Sequence, residues 1–358
     1  MELSIKTLEL QEMVDKVGTC VSNNKLIPLT SLLSIGVKDK HLVLTATDAT
    51  NYFYSLSKSE VDCEDFEIAV IADLFIKLIQ KMTSENITIT VDESVKVKGN
   101  GNYTLALILD ENGGNIKFPK KFSLDEFRND GGTLKLTTIN TILNYNKPSL
   151  ATSLSLPALT MYYCGDKVIT SDRSKMCSTQ VKTFDKPYLI SAKLMELLSK
   201  MSDEDIMVLT TDKDLIFRTS NELIYSPIAD GIETFPVKVL DDLSTSAFPS
   251  TCKVSRSAVV EVLDRLALFV SAYDKKVITL TFTRDGIMFS SKNSDGVELI
   301  PYISSTDFKD YQCSLDVEML KSQIATQSED AIEIAYGSEV AVKLILNNVI
   351  QIIALAEE

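Results

Sequence analysis

The sequence predicts an α+β fold of three similar domains, each with two helices packed on antiparallel sheets, and three observations carry that prediction. First, a phrase recurs: an apolar helical stretch runs into a small acidic turn and then into alternating apolar residues, at KMTSENITIT from Lys81, KMSDEDIMVL from Lys200 and QSEDAIEIAY from Gln327. The isoleucines opening the three strands, Ile87, Ile206 and Ile332, lie 119 and 126 positions apart, a domain-sized period. Second, independent markers share this period. LVLTATD ending at Asp48, KVITSD ending at Asp172 and IMFSSKN ending at Asn293 are 124 and 121 apart, and Pro119 of NIKFP lies 117 before Pro236 of IETFP. Third, the connections between alternating runs are short and polar, as hairpins require. The implied domains are 1–121, 122–245 and 246–358.

The first repeat justifies the elements in order. A short strand, LSIKTL, precedes an amphipathic helix over Glu9 to Val21, in which Met13, Val14, Val17, Cys20 and Val21 fall near helical spacing. Three strands follow, LTSLLSIGV, HLVLTATD and NYFYSLSK. FEIAVI then leads into a second helix, ADLFIKLIQKMTS, with Leu74, Phe75, Leu78 and Ile79 on one face. NITITV, SVKVKG and YTLALIL complete the repeat, with Asp92 and Glu93 in the first turn. Each domain is therefore two copies of a strand, a helix and three more strands. In the third repeat TFTRDGIMF places Asp285 and Gly286 between alternating runs, a hairpin signal.

Composition excludes several functions. A chain of 358 residues with 45% hydrophobic content can bury a substantial core, and no apolar run is long enough to span a bilayer. With no cleavable leader in the sequence either, the expectation is a cytoplasmic protein. The six cysteines never form C-x-x-C, and the nearest pair is thirteen positions apart, so they read as buried hydrophobes in a reducing compartment. His41, the one histidine, removes multi-histidine metal sites and sits at a strand entry. No phosphate-binding loop, dinucleotide fingerprint, nucleophile elbow or H-E-x-x-H occurs, and KGNGN at Lys98 to Asn102 joins two strands without opening a helix. Asp48 and Asp172 fall in different domains and read as turn caps. The expectation is no enzyme, no metal and no cofactor. A net charge of −14 argues against a broadly basic surface, though not against a basic stripe on one face.

NNKLIPLTSLLSI followed by LVLTATD, KVITSDRSKMC in the second repeat, the segments ending KFP and TFP, and the threefold period together resemble the bacterial sliding clamp, the beta subunit of DNA polymerase III, over essentially the full length. The resemblance implies a DNA-clamp fold. Two three-domain protomers would close head to tail into a ring around double-stranded DNA, with helices lining the hole. Such a homodimer binds DNA without sequence preference, tethers the replicative DNA polymerase as a processivity factor, is placed by a clamp loader, and catalyses nothing. A mildly basic lining with an acidic exterior suits weak, sequence-blind contact. The alternative from another class is a non-catalytic β-rich interaction scaffold that does not encircle DNA.

On this reading the DNA-facing candidates are Lys16 on the first helix, Lys77 and Lys81 on the second, Lys193 and Lys200 in the second repeat, and Arg256, Arg265 and Lys321 in the third. Lys25 lies beside the family's DNA-directed arginine, and the strictly aligned residue is Asn24. An ordinary solvated helix face accounts equally well for any one of these, so the weight lies with the set. Family clamps bind short linear motifs of polymerase and loader in an apolar cleft between the second and third domains. The matching positions are Leu156, Ser171, Arg173, Lys175, Met176, Leu243, Ile352 and Leu355. Arg173 to Met176 replace the family's Gly-His-Arg-Leu, Leu154 and Ser155 stand where some members carry paired tyrosines, and the chain ends Glu357-Glu358; these departures bear on the docking peptide's sequence. The protomer interface would join Tyr103 and Leu105 on an edge strand to Leu268 and Phe269 on the helix beginning near Val254. Plain core packing is open for the apolar members of both sets.

Overall fold

The computed structural model describes residues 1–119, 128, 131–153, 155–202, 205–269, 276–291 and 295–356. The 121/122 boundary, Asp203 and Glu204 of the recurring phrase, Asn293, Leu154 and Glu357-Glu358 lie outside the described residues.

A strand, a helix and three further strands recur six times in chain order. The first copy is Glu2–Lys6, α1 (Thr7–Gly18), Leu32–Lys38, His41–Thr47 and Tyr52–Glu60, and the second is Phe66–Ile71, α2 (Ala72–Gln80), Asn86–Val91, Val95–Lys98 and Asn102–Leu105. The third is Thr133–Lys135, α3 (Leu136–Asn146), Met161–Cys164, Val168–Ser171 and Lys175–Thr179. The fourth is Tyr188–Ser191, α4 (Ala192–Leu198), Asp205–Thr210, Asp214–Arg218 and Glu222–Pro227, followed by an additional helix, α5 (Val237–Thr245). The fifth is Ser250–Ser255, α6 (Arg256–Leu266), Val277–Phe282, Gly286–Ser291 and Val297–Pro301; after a short strand, Ser304–Thr306, the sixth is Tyr311–Asp316, α7 (Val317–Ile324), Ala331–Tyr336, Ala341–Leu346 and Val349–Ala354.

Helix boundaries correct the sequence reading. The first helix runs Thr7–Gly18 rather than Glu9 to Val21, burying Leu10, Met13, Val14 and Val17 on one face. Such side chains contribute about 1.5 to 3 kcal/mol each when fully enclosed. α2 stops at Gln80, and its inner face is Ala72, Phe75 and Ile79, while Leu74 points outward. The third-repeat helix begins at Arg256, because Val254 belongs to the preceding strand and Ser255 caps the helix, its hydroxyl accepting from the Ala258 N–H at 3.4 Å. Asp316 caps α7 likewise, accepting from Met319 N–H at 2.9 Å.

Turn chemistry repeats with the period. Asp48 Oδ1 accepts the N–H groups of Thr50 and Asn51 at 2.9 and 2.7 Å, and Asp172 Oδ1 accepts those of Ser174 and Lys175 at 2.9 and 2.8 Å. The next residue is left-handed in both turns, Ala49 at φ 83° and Arg173 at φ 80°. Both aspartates thus serve as the turn caps expected from the sequence.

Strand pairing is antiparallel and exchanged between sibling copies. The opening strand of each copy joins the three-stranded meander of its sibling: Glu2–Lys6 pairs with Asn86–Val91, and Phe66–Ile71 pairs with Leu32–Lys38. The same exchange places Thr133–Lys135 against Asp205–Thr210, Tyr188–Ser191 against Met161–Cys164, Ser250–Ser255 against Ala331–Tyr336, and Tyr311–Asp316 against Val277–Phe282. The chain divides into two compact units, residues 1–139 with 193–228 and residues 140–192 with 229–358. In the first unit an eight-stranded sheet is continuous through Tyr52–Glu60 and Glu222–Pro227. In the second a nine-stranded sheet is continuous through Lys175–Thr179 and Val349–Ala354. A four-stranded sheet accompanies each, ending on Asn102–Leu105 in the first unit and on Val297–Pro301 in the second.

Candidate nucleic-acid interface and partner pocket

The basic candidates fall into two groups. Lys25, Lys81 and Lys200 are exposed and have no ion-pair partner among the described residues; Asn24 is exposed beside Lys25. The rest are engaged. Lys77 is solvent-facing but bonded to Asp73 at 2.8 Å one turn earlier on α2. Lys193 donates to the Thr19 carbonyl at 2.5 Å and lies 3.6 Å from Glu196. Arg256 is partly buried, its Nε 3.4 Å from the Ile324 carbonyl. Arg265 forks onto Glu298 at 2.8 and 2.7 Å, which raises the guanidinium's pKa and holds the Glu298 carboxyl below its usual range. Lys321 is bonded to Asp264 at 2.5 Å.

Lys16 is well enclosed, with its side chain 14% exposed. Its ammonium donates to Glu12 at 2.7 Å, Glu222 at 2.6 Å and Ser202 Oγ at 3.0 Å. Burial works to lower its pKa, but the two carboxylates outweigh burial and hold it above the usual lysine value. Most of its field is cancelled locally, so Lys16 offers a phosphate less than Lys81 or Lys200 does. Sequence reasoning missed Glu222, which is buried and also accepts from Ser202 N–H at 2.7 Å. Nothing in the local pattern ELIYSP joins it to a helix two hundred residues earlier.

The pocket candidates converge within the second unit. Met176 faces Ile352 across adjacent strands and Ser171 across the hairpin. Met176 and Ile352 are buried in one apolar cluster with Ile169, Phe235 and Leu240, and Leu156 and Leu243 pack against it half-buried. Ser171 is buried, its hydroxyl donating to the Lys175 carbonyl at 3.1 Å and accepting from the Arg173 N–H at 3.2 Å. Arg173 is exposed at the turn, and the Lys175 ammonium lies 3.4 Å from Ser322 Oγ. Leu355 packs instead against the core of the fifth and sixth copies. α5, which carries Leu243, was missed as a helix because the sequence there reads only as a connector after Pro236.

Of the interface candidates, Tyr103 is 40% exposed on the edge strand while Leu105 is buried at 4%. Leu268 and Phe269 lie on a 3₁₀ turn, Ala267–Phe269, just past α6, and are 82% and 54% exposed. Val297 and Leu299, on the edge strand of the same unit, are also half exposed.

The cysteines follow their expected role: Cys20, Cys164, Cys177, Cys252 and Cys313 are buried and Cys63 is partly exposed. Burial pushes the thiols of Cys20, Cys177, Cys252 and Cys313 up to about 12. Among the described residues no cluster of His, Cys, Asp or Glu could hold a metal ion, and no helix is long and apolar enough to cross a membrane.

Comparison with known proteins places this architecture. The structure superposes along its whole length on the DNA polymerase sliding clamp of Bacillus subtilis, with a TM-score of 0.85 at 18% identity, covering 100% of this chain and 99% of that one. It superposes equally on the DNA polymerase III beta subunit of Thermotoga maritima, TM-score 0.85 at 13% identity with 100% and 99% covered. The beta chain of Streptococcus pneumoniae gives 0.84 at 16% identity, with both chains fully covered. No curated protein matches the sequence. The fold is therefore the sliding-clamp fold. Residues 1–112 match the family model described as DNA polymerase III beta subunit, N-terminal domain.

Proposed function

We propose that the chain is a DNA sliding clamp, a processivity factor that encircles duplex DNA and tethers a replicative polymerase. The observation that carries the reading is the pairing of a clamp fold over the whole length with the family match in residues 1–112. The sixfold strand-helix-strand unit supports a division into three domains at 1–121, 122–245 and 246–358, each holding two copies. The protein works in the cytoplasm as a homodimeric ring and performs no chemistry. Its contact with DNA is electrostatic, led by Lys25, Lys81 and Lys200, with Asn24 beside them and the ion-paired Lys77, Lys193, Arg256, Arg265 and Lys321 in support.

Short linear motifs of the polymerase and the clamp loader dock over Leu156, Met176, Leu243 and Ile352, bordered by Ser171, Arg173, Lys175 and Leu355. Ring closure brings the Tyr103 edge strand to the Leu268–Phe269 surface of a second copy, Leu105 supporting it from within. Nothing observed favours a scaffold that leaves DNA unenclosed.

The test is retention on DNA. Loaded by a matched clamp loader, the protein stays on a closed circle through a high-salt wash and leaves once the circle is cut. Loss from the intact circle at high salt refutes encirclement. Light scattering checks the dimer, whose expected mass is twice 39.6 kDa.

A further inference from the structure

We propose that Lys343 is a positioning residue for the peptide pocket: its buried ammonium pins the C-terminal end of α5 to the sheet and so fixes the Leu243 wall. The pin stands on geometry alone, while its consequence for peptide binding rests on the pocket reading given above.

Lys343 lies mid-strand in Ala341–Leu346 and is 4% exposed. A helix end leaves its last carbonyls without intrahelical donors. At α5 the Asp242 carbonyl accepts from Ser246 N–H at 3.0 Å and that of Leu243 from Ser246 Oγ at 2.7 Å. The Ser244 and Ser246 carbonyls are taken by Lys343 Nζ, at 3.0 and 2.6 Å. The same ammonium sits 4.6 Å from the centre of the Phe248 ring.

No carboxylate pairs with Lys343 among the described residues, so this buried charge is compensated by carbonyls at the negative end of a helix and by a ring face. Burial accordingly lowers its pKa. α5 has a second tether, Lys167 to Asp241, nearer the surface.

The pin is placed to shape the pocket. Lys343 is the direct strand partner of Ile352, which is the partner of Met176. The segment it holds begins one residue after Leu243. One side chain therefore sets the spacing between the floor, Met176 and Ile352, and the wall, Leu243.

The test uses the full-length protein carrying Lys343→Met or Phe248→Leu, with Lys167→Met as control. Hydrogen exchange of the amides of residues 240–246 reports the pin. Anisotropy of a fluorescein-labelled hexapeptide with two leucines and a phenylalanine as anchors reports the pocket. Lys343→Met is expected to speed that exchange about tenfold and weaken the peptide about tenfold, with the exchange of residues 277–291 unchanged. Phe248→Leu, which keeps both carbonyl contacts, should shift each about threefold, and Lys167→Met should leave peptide affinity within about twofold.

Unchanged α5 exchange in both variants overturns the pin. Faster exchange with unchanged peptide affinity overturns its link to the pocket. If the wild-type protein binds no such peptide, the pocket reading fails, and exchange alone then decides the pin.

Discussion

Replacing Glu222 by glutamine isolates the buried ion pair that ties α1 to the strand Glu222–Pro227. The substitution keeps size and acceptor oxygen while removing the charge opposite Lys16, 2.6 Å away. Removing one member of a buried pair typically costs about 3 to 5 kcal/mol, because the other charge is left uncompensated. Here the lower end applies, since Lys16 keeps Glu12 at 2.7 Å and the amide can still accept from Ser202 N–H. A loss of about 3 kcal/mol is expected from Glu222→Gln, and about the same from Lys16→Met. The double variant should lose about 2 kcal/mol less than the sum, as groups in direct contact do.

Urea unfolding, with hydrogen exchange of α1 and of residues 222–227 as the local readout, measures all three. A Glu222→Gln effect below about 1 kcal/mol, or strict additivity in the cycle, refutes the reasoning. The network also has a pH signature. Lys16 holds the Glu12 carboxyl below its usual range. That contribution is present above the ordinary carboxylate titration and disappears as pH falls through Glu12's depressed value. Acid titration of the wild type should therefore loosen α1 in a step that Glu12→Gln lacks.

The other expectations concern single positions. Left-handed backbone costs a residue with a Cβ about 1 to 2 kcal/mol, part of which glycine returns as unfolded-state entropy, so Arg173→Gly and Ala49→Gly should each stabilise by about 0.5 to 1 kcal/mol in urea melts. Destabilisation by either would show that the turn does not carry strain. Lys81→Glu with Lys200→Glu should weaken unloaded duplex binding and reduce its salt slope by about 2, whereas Lys16→Met should leave that slope unchanged. A thiol reagent at pH 8 should modify Cys63 in the native protein and leave the other five cysteines intact, since burial keeps those thiols protonated. Rapid labelling of several thiols would mean the cores open readily.

The repeat was legible in the sequence because each strand, turn and helix is specified over a few residues. Alternation at NITITV, the aspartate caps and helical spacing at Met13, Val14 and Val17 all act at short range. Of the pocket candidates, Met176 and Ile352 do meet across adjacent strands. What escaped depends on partners far away in the chain. The helical pattern around Lys16 looks solvated, yet Ser202 and Glu222, 186 and 206 residues later, help to enclose it. Lys343 breaks an apolar strand, AVKLIL, in a way no local rule explains, because its acceptors lie about a hundred residues earlier. Leu74 has the right spacing for the inner face of α2, yet Ala72 takes that place because the helix starts at once from the strand and its orientation is set there.

The exchange of opening strands has a consequence for synthesis on the ribosome. The strand Glu2–Lys6 must wait for Asn86–Val91 to find a neighbour, and Glu2 itself for Thr90. At about 5 to 20 residues per second, the 88 positions that separate Thr90 from Glu2 take about 4 to 18 s to appear, during which the opening strand has no partner. Neither half of such a pair can mature by itself, so the nascent polypeptide should acquire protease resistance in abrupt steps, one for each completed pair, rather than gradually with length.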